Sequence, residues 1–347
     1  MKRTLALILG VLLLITTLAG CGGQKPATTT AAAGTTAPAG TTAAAAANKV
    51  ALILSGPAND QGWNATAVDG LNAIKDKFKL ETTFMENVQV ADMEAAFNDY
   101  ASQGYQLVIG HGFQFGEPAA RVSKTYPDQY FMATESSSKS PNMSSFVMAC
   151  EQGAYMMGTL AAYMTKSNVI GVVGGVEQPS ITKELEAFKA AALAVNPDIK
   201  VLTAYCNSFT DVTAGQAAAT AMINQNADVL YHVANQAGTG VIKAAQEKKL
   251  YCLGNSYNQS SIAPDVLLCS TVYNLPNVIV YAYNQILAGT FGDEIVHLGV
   301  KDNVVDIAWN DELKSVIGDD NVKKIEQMKA DIGAGTLAVP LIETPTK

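Results

Sequence analysis

The chain is short of cysteine, of histidine and of clustered positive charge, and each shortage removes a class of chemistry. Its five cysteines among 347 residues include no C-x-x-C pair, so a thioredoxin-like redox motif or a sequence-level zinc motif is not expected. Cys150, Cys206, Cys252 and Cys269 each lie in or beside an apolar, strand-like run. Buried free thiols are the expectation for them; a disulfide is the alternative that an oxidising compartment permits. The three histidines, His111, His232 and His297, stand too far apart for a metal motif, and no metal or cofactor is expected. There is no G-x-x-x-x-G-K-S/T phosphate loop, and Gly171-Val172-Val173-Gly174-Gly175 lacks dinucleotide-loop spacing. Gly254-Asn255-Ser256-Tyr257-Asn258 misses the final glycine of a nucleophile elbow. A Ser–His pair assembled only in three dimensions is the route left to an extracytoplasmic hydrolase, and the reading is a binding protein rather than an enzyme. Formal net charge is −8, with no basic run, which argues against nucleic acid as a partner.

No apolar run reaches the ~20 residues of a membrane span. Leu5–Ile15 follows Lys2 and Arg3 and ends near Leu18-Ala19-Gly20-Cys21, the length and flanks of a secretory h-region. Small residues before a cysteine resemble the lipobox of bacterial lipoproteins, which implies removal of 1–20 and lipid on Cys21. The protein would then work on the extracytoplasmic face of the cell membrane, lipid-anchored, and loss of Lys2 and Arg3 takes its side-chain charge to −10. Residues 21–48 are almost entirely Ala, Thr and Gly and cannot bury enough apolar area to offset ordering. They read as a tether with a reach on the order of 30 Å.

From Lys49 onward strands and helices alternate. Val50–Leu54 is followed by a Ser55-Gly56-Pro57 turn and an apolar stripe Trp63, Ala67, Leu71, Ile74, Phe78 at helical spacing. Continuous apolar strands separated by helices of 10–18 residues predict parallel sheets covered on both faces. The expected class is α/β, with two doubly wound lobes. One alternating series precedes about Ala149 and the other follows it.

In such sheets ligands bind beyond the carboxyl ends of the strands. The loops to inspect are therefore 55–64, 110–115, 134–138, 174–180, 206–211, 234–238 and 254–259. They carry Phe113, Glu135, Asn235, Ser256 and Asn258 as candidate ligand contacts, and His232 stands just before one of them. In Asn59-Asp60-Gln61-Gly62-Trp63-Asn64, a planar ligand could stack on Trp63 while Asn64 or Asp60 bonds its edge. The other reading makes Trp63 a packing staple and Asp60 only a helix cap.

Several segments together resemble the basic membrane protein family of ABC-transporter substrate-binding lipoproteins, and within it the purine-nucleoside receptors. They are Val50-Ala51-Leu52-Ile53, Asp60-Gln61-Gly62-Trp63-Asn64, Glu151-Gln152-Gly153-Ala154-Tyr155-Met156-Met157-Gly158, Ile170-Gly171-Val172-Val173-Gly174-Gly175, Asn196-Pro197, Ser208-Phe209-Thr210-Asp211 and Ala263-Pro264-Asp265. The resemblance implies a type I periplasmic-binding fold with three crossovers, placed near Met148, Thr271 and Gly299. On that reading 49–148 with 272–298 form the N-lobe, 149–271 with 299–338 the C-lobe, and 339–347 a tail. It implies a monomeric receptor for a purine nucleoside that delivers it to ABC permease subunits. Trp63 would stack on the purine beside Asn64, Glu135 would stand where the family often has Asp, and Tyr231 or His232 would lie near a second stacking aromatic. Two departures matter: Ser256 replaces a carboxylate that resembles a ribose clamp, and Tyr273 stands where a crossover lysine is common. A serine cannot accept two diol hydrogen bonds as a carboxylate does, so a nucleobase or another small planar solute is the alternative ligand. A membrane-tethered sensor without transport is the alternative role.

Overall fold

In the computed structural model, which describes residues 48–346, the first half alternates strand and helix. Its elements are β1 (Lys49–Leu54), α1 (Trp63–Phe78), β2 (Glu81–Met85), α2 (Met93–Ser102), β3 (Leu107–His111), α3 (Gly116–Ser123), β4 (Tyr130–Thr134) and β5 (Met143–Met148). A second series follows: α4 (Cys150–Met164), β6 (Val169–Gly174), α5 (Pro179–Val195), β7 (Lys200–Tyr205), α6 (Val212–Ile223), β8 (Val229–Val233), α7 (Gly238–Lys248), β9 (Tyr251–Gly254) and β10 (Leu267–Tyr273). The chain closes with α8 (Leu275–Ala288), β11 (Ile295–Leu298), β12 (Val305–Trp309), α9 (Lys314–Ile317) and α10 (Asp319–Ala334). Cys21 and the expected signal and tether lie outside the described residues. Among the described residues no helix is long and apolar enough to cross a membrane.

Two six-stranded sheets result, ordered β11-β5-β4-β3-β1-β2 and β12-β10-β9-β8-β6-β7. Every pairing is parallel except β10 with β12. The aliphatic run of β1 explains its central place, because alternate residues serve opposite faces. Val50, Leu52 and Leu54 pack with Leu71, Ile74 and Ile279 under α1 and α8. Ala51 and Ile53 pack with Phe97 and Phe115 under α2 and α3. Burying such a side chain stabilises by about 1.5–3 kcal/mol. β2, by contrast, is an edge strand with mostly exposed or half-buried residues, and no apolar run announces it. In the second lobe α4 and α5 press together so closely that a Cβ on Gly158 would sit 2.1 Å from the Phe188 carbonyl oxygen. Only glycine fits that contact.

The chain passes between sheets three times. β5 ends at Met148 and α4 opens at Cys150; β10 ends at Tyr273 and α8 opens at Leu275; β11 ends at Leu298 ahead of β12. The second passage lies two residues beyond the expected Thr271. Thr271 is still inside the ladder, paired with Ile307, and the pairing runs on to Tyr273 opposite Val305. The C-terminal segment is docked on α5: Thr346 donates its N–H to Glu186 Oε1 at 3.0 Å and accepts from Lys189 Nζ at 3.1 Å.

Candidate functional site

All seven loops singled out by strand order reach one cavity, with about 640 Å³ of unfilled space. Ser55 and Trp63 come from the first loop, Phe113 and Gln114 from the second and Glu135 from the third. Gln178, Phe209, Asn235, Asn255 and Ser256 come from the remaining four. Cys150, Ile181, Glu184, Val233 and Tyr273 complete the wall.

The first wall is built locally. Asp60 Oδ1 accepts the N–H groups of Gly62 and Ala65 at 2.9 and 3.0 Å, and Oδ2 accepts Asn64 N and Nδ2 at 2.9 and 2.8 Å. One buried carboxylate thus satisfies donors of the first turn of α1, which would otherwise lack partners. Trp63 is held above His111, with ring centroids 4.1 Å apart and planes 19° from parallel. His111 is fixed in turn by the Trp63 carbonyl at 2.9 Å and Thr134 Oγ1 at 3.0 Å. Burial pushes the His111 pKa down to about 3, so a neutral ring backs the indole. Across the cleft, Trp63 N–H donates to Asn235 Oδ1 at 3.2 Å and Gln259 Nε2 donates to the Gln61 carbonyl at 3.2 Å. Gly62 permits this approach, since a Cβ there would lie 2.8 Å from Asn235 Oδ1.

A second wall, shared between a loop of the first sheet and α5 of the second lobe, holds buried charge. Glu135 adopts φ +54°, uncommon for a residue with a side chain. Its Oε1 accepts Met148 N–H at 2.7 Å and its Oε2 accepts Lys183 Nζ at 3.1 Å. Lys183 also donates to the Met148 carbonyl at 2.6 Å and lies 3.6 Å from Glu151. Burial alone would lower the lysine pKa; the Glu135 and Glu151 carboxylates outweigh it and hold Lys183 above the ordinary value. This cluster ties α5 to the first passage between sheets. Next to it, Glu184 Oε2 accepts from Tyr231 OH at 3.3 Å, from Asn255 Nδ2 at 3.0 Å and from Tyr273 OH. Burial raises the Glu184 pKa to about 7 despite the donors and Lys183. Ser256, at φ +67°, donates to Asn255 Oδ1 at 2.7 Å.

Of the residues expected to meet a ligand, Trp63, Phe113, Glu135, Asn235, Ser256 and Tyr273 line the cavity. Asp60 and Asn64 do not; Asp60 is consumed by the α1 turn, accepting its N–H groups from two residues before the N-cap Gly62, and Asn64 is buried against it. His232 lies beneath the wall, its Nε2 bonded to Gln259 Oε1 at 2.9 Å. Since that amide oxygen only accepts, Nε2 carries the proton, and burial lowers the His232 pKa to about 4. Asn258 is exposed and closes a turn onto Ser260. Tyr231 packs on Phe188 rather than facing the cavity. Phe209, inside a loop that strand order had marked and within the Ser-Phe-Thr-Asp segment, joins Tyr273 at the end of β10 as an aromatic of the cavity wall. Glu184, which lines the cavity, and Lys183, which lies behind the lining and holds Glu135, were not among the expected residues. In the sequence they are two charges early in a helix, a pattern that ordinarily means a solvated face. The four cysteines of the described residues are free, three buried and Cys206 half-buried.

Comparison with known proteins agrees with this architecture. The chain is 28% identical over 303 residues to basic membrane protein A of Borreliella burgdorferi, covering 84% of this chain and 87% of that one. A purine-binding protein of Brucella abortus is 29% identical over 295 residues, covering 83% and 82%. A nucleoside-binding protein of an ABC transporter in Lactococcus lactis is 28% identical over 363 residues, covering 98% and 99%. A solute-binding protein of an ABC transporter system from Aeropyrum pernix superposes with a TM-score of 0.76 at 19% identity, covering 85% and 94%; this shows the two-lobed α/β fold of periplasmic solute-binding proteins. Residues 47–343 match the family described as ABC transporter substrate-binding protein, PnrA-like, and the chain belongs to that family.

Proposed function

We propose that this protein is the extracytoplasmic receptor of an ABC importer, held at the membrane by lipid on Cys21, and that it captures a purine nucleoside as a monomer and passes it unchanged to the permease. The observation that carries the ligand class is the wall of the cavity: Trp63, Phe113 and Phe209 stand with Glu135, Glu184, Asn235, Asn255 and Ser256. Flat rings reward a planar base by about 0.5–1.5 kcal/mol each beyond burial, and the polar set addresses its edge and substituents. The names of the Brucella and Lactococcus relatives support the same class.

Both lobes contribute to the wall, so a ligand between them favours the closed state by contacts that an open cleft lacks. The Trp63–Asn235 and Gln61–Gln259 contacts belong to that closed arrangement. One observation favours a nucleobase as second reading. Ser256 Oγ is spent on Asn255, so position 256 offers no carboxylate for a diol. Calorimetry with adenosine, guanosine, inosine and their bases tests the proposal. Binding is expected in the wild type and roughly 10- to 100-fold weaker binding in Trp63→Ala. Unchanged affinity in that variant would overturn the stacking role, and chromatographic appearance of free base from a nucleoside would overturn capture without chemistry.

A further inference from the structure

Glu184 has a feature that its structural contacts do not use. The residue is 3% exposed and stands on the cavity wall. Its three protein hydrogen bonds, from Tyr231, Asn255 and Tyr273, all end on Oε2. Oε1 has no protein hydrogen-bond partner among the described residues. A carboxylate has about four acceptor positions on its two oxygens, and here one oxygen is crowded with donors while the other is left to the cavity. Among the described residues no lysine or arginine lines that cavity.

We propose that Glu184 Oε1 is the acceptor that selects the ligand: the site takes a planar solute that presents an N–H or O–H donor to this oxygen, and binding releases a proton from Glu184 to solvent. The proposal rests on the purine reading above and deepens it.

The physical case has two parts. With Oε2 saturated by donors, the proton of neutral Glu184 resides on Oε1, the atom the ligand meets. A protonated Oε1 presents its O–H to the ligand and accepts poorly, whereas the ionised oxygen accepts well, so a ligand that offers a donor favours the ionised form and its binding is linked to release of the proton. The group is poised for this, because burial brings its titration to about pH 7. Around it stand Lys183 on α5, Cys150 and Glu151 on α4, Glu135 after β4, Tyr231 on β8 and Tyr273 on β10. Three of these groups are carboxyls or thiol and one is a cation already held by Glu135, so no spare positive charge competes with the ligand's donor for Glu184.

The experiment is calorimetry at pH 7 with adenosine, guanosine, inosine and their bases. Each titration is run in phosphate and in Tris, whose different ionisation enthalpies report proton transfer. The expected result is a buffer-dependent enthalpy that corresponds to proton release, and affinity lowered roughly 10- to 100-fold in Glu184→Gln, in which an amide N–H₂ replaces the acceptor at the cavity. Trp63→Ala should weaken binding at high ligand concentration yet keep the proton release. Two results would overturn the assignment while leaving the purine reading intact: affinity in Glu184→Gln within threefold of wild type, or wild-type enthalpies equal in the two buffers. If none of the six compounds binds wild-type protein, both readings fall together. The two-buffer arm uses unmodified protein, so it decides the question even if the variant does not fold.

Discussion

The two walls of the cleft are built by different physics. Around Trp63 one carboxylate, Asp60, organises residues two to five positions away. Around Glu135, Lys183 and Glu184 the partners are tens of residues apart, with separations of 48 for Lys183–Glu135 and 89 for Glu184–Tyr273. In the first wall the turn that carries Trp63 is a local structure, and His111, 48 residues on, and Asn235, 172 residues on, then hold the tryptophan in place. The second exists only when both lobes and the passages between them are assembled. A fault in the first should therefore stay near the first, whereas a fault in the second should reach the whole fold.

The largest test of that contrast is Lys183→Met. It leaves Glu135 and Glu151 buried without their cation, and stranding buried charge costs about 3–5 kcal/mol. Urea denaturation should show a loss of that size, partly recovered by adding Glu135→Gln. A loss under 1 kcal/mol would mean that the cluster is not the keystone of the second wall.

The pH dependence of stability separates the walls by sign. His111, behind Trp63, has a folded pKa depressed from 6.5 to about 3. Its contribution is fully present above pH 6.5 and is lost as pH falls toward 3, up to roughly 3–5 kcal/mol. Glu184 has a folded pKa raised from 4.5 to about 7. Its contribution is fully present below pH 4.5 and is lost as pH rises through 7, roughly 3 kcal/mol. In urea melts, Glu184→Gln should gain stability relative to wild type between pH 5 and pH 8. A difference that does not move with pH would contradict the titration assigned to Glu184.

The smallest effect is expected at the local wall. Asp60→Ala removes the acceptor for the α1 turn and should cost about 1–2 kcal/mol, the scale of a lost helix cap. Thermal melts give the stability change, and binding should weaken because Trp63 loses its fixed entry angle. A loss as large as that of Lys183→Met would erase the distinction between the walls.

Much of this architecture was legible beforehand because its signals are short-ranged. Aliphatic runs such as Val50–Leu54 and the stripe from Trp63 to Phe78 coincide with β1 and α1. Strand order then marked every loop that reaches the cavity. Edge strand β2 was not legible, since a half-exposed strand needs no apolar run. Nor were the roles of Asp60, Asn64, His232 and Asn258, whose polar atoms could equally have faced a ligand or one another. The carboxyl expected near position 256 is absent there, and the cavity's second carboxyl comes instead from Glu184 on α5.

Sequence alone determined the α/β class, the two alternating series, the loops that reach the cavity and the tryptophan in its lining. Periodicity and turn chemistry act over a few residues, so they can be read along one dimension. Only the tertiary structure decided which polar groups remain free for a ligand. Whether a carboxylate is spent depends on partners far away in the chain: Asp60 is satisfied by its own turn, whereas Glu184 meets Tyr231, Asn255 and Tyr273 on one oxygen and keeps the other for the cavity.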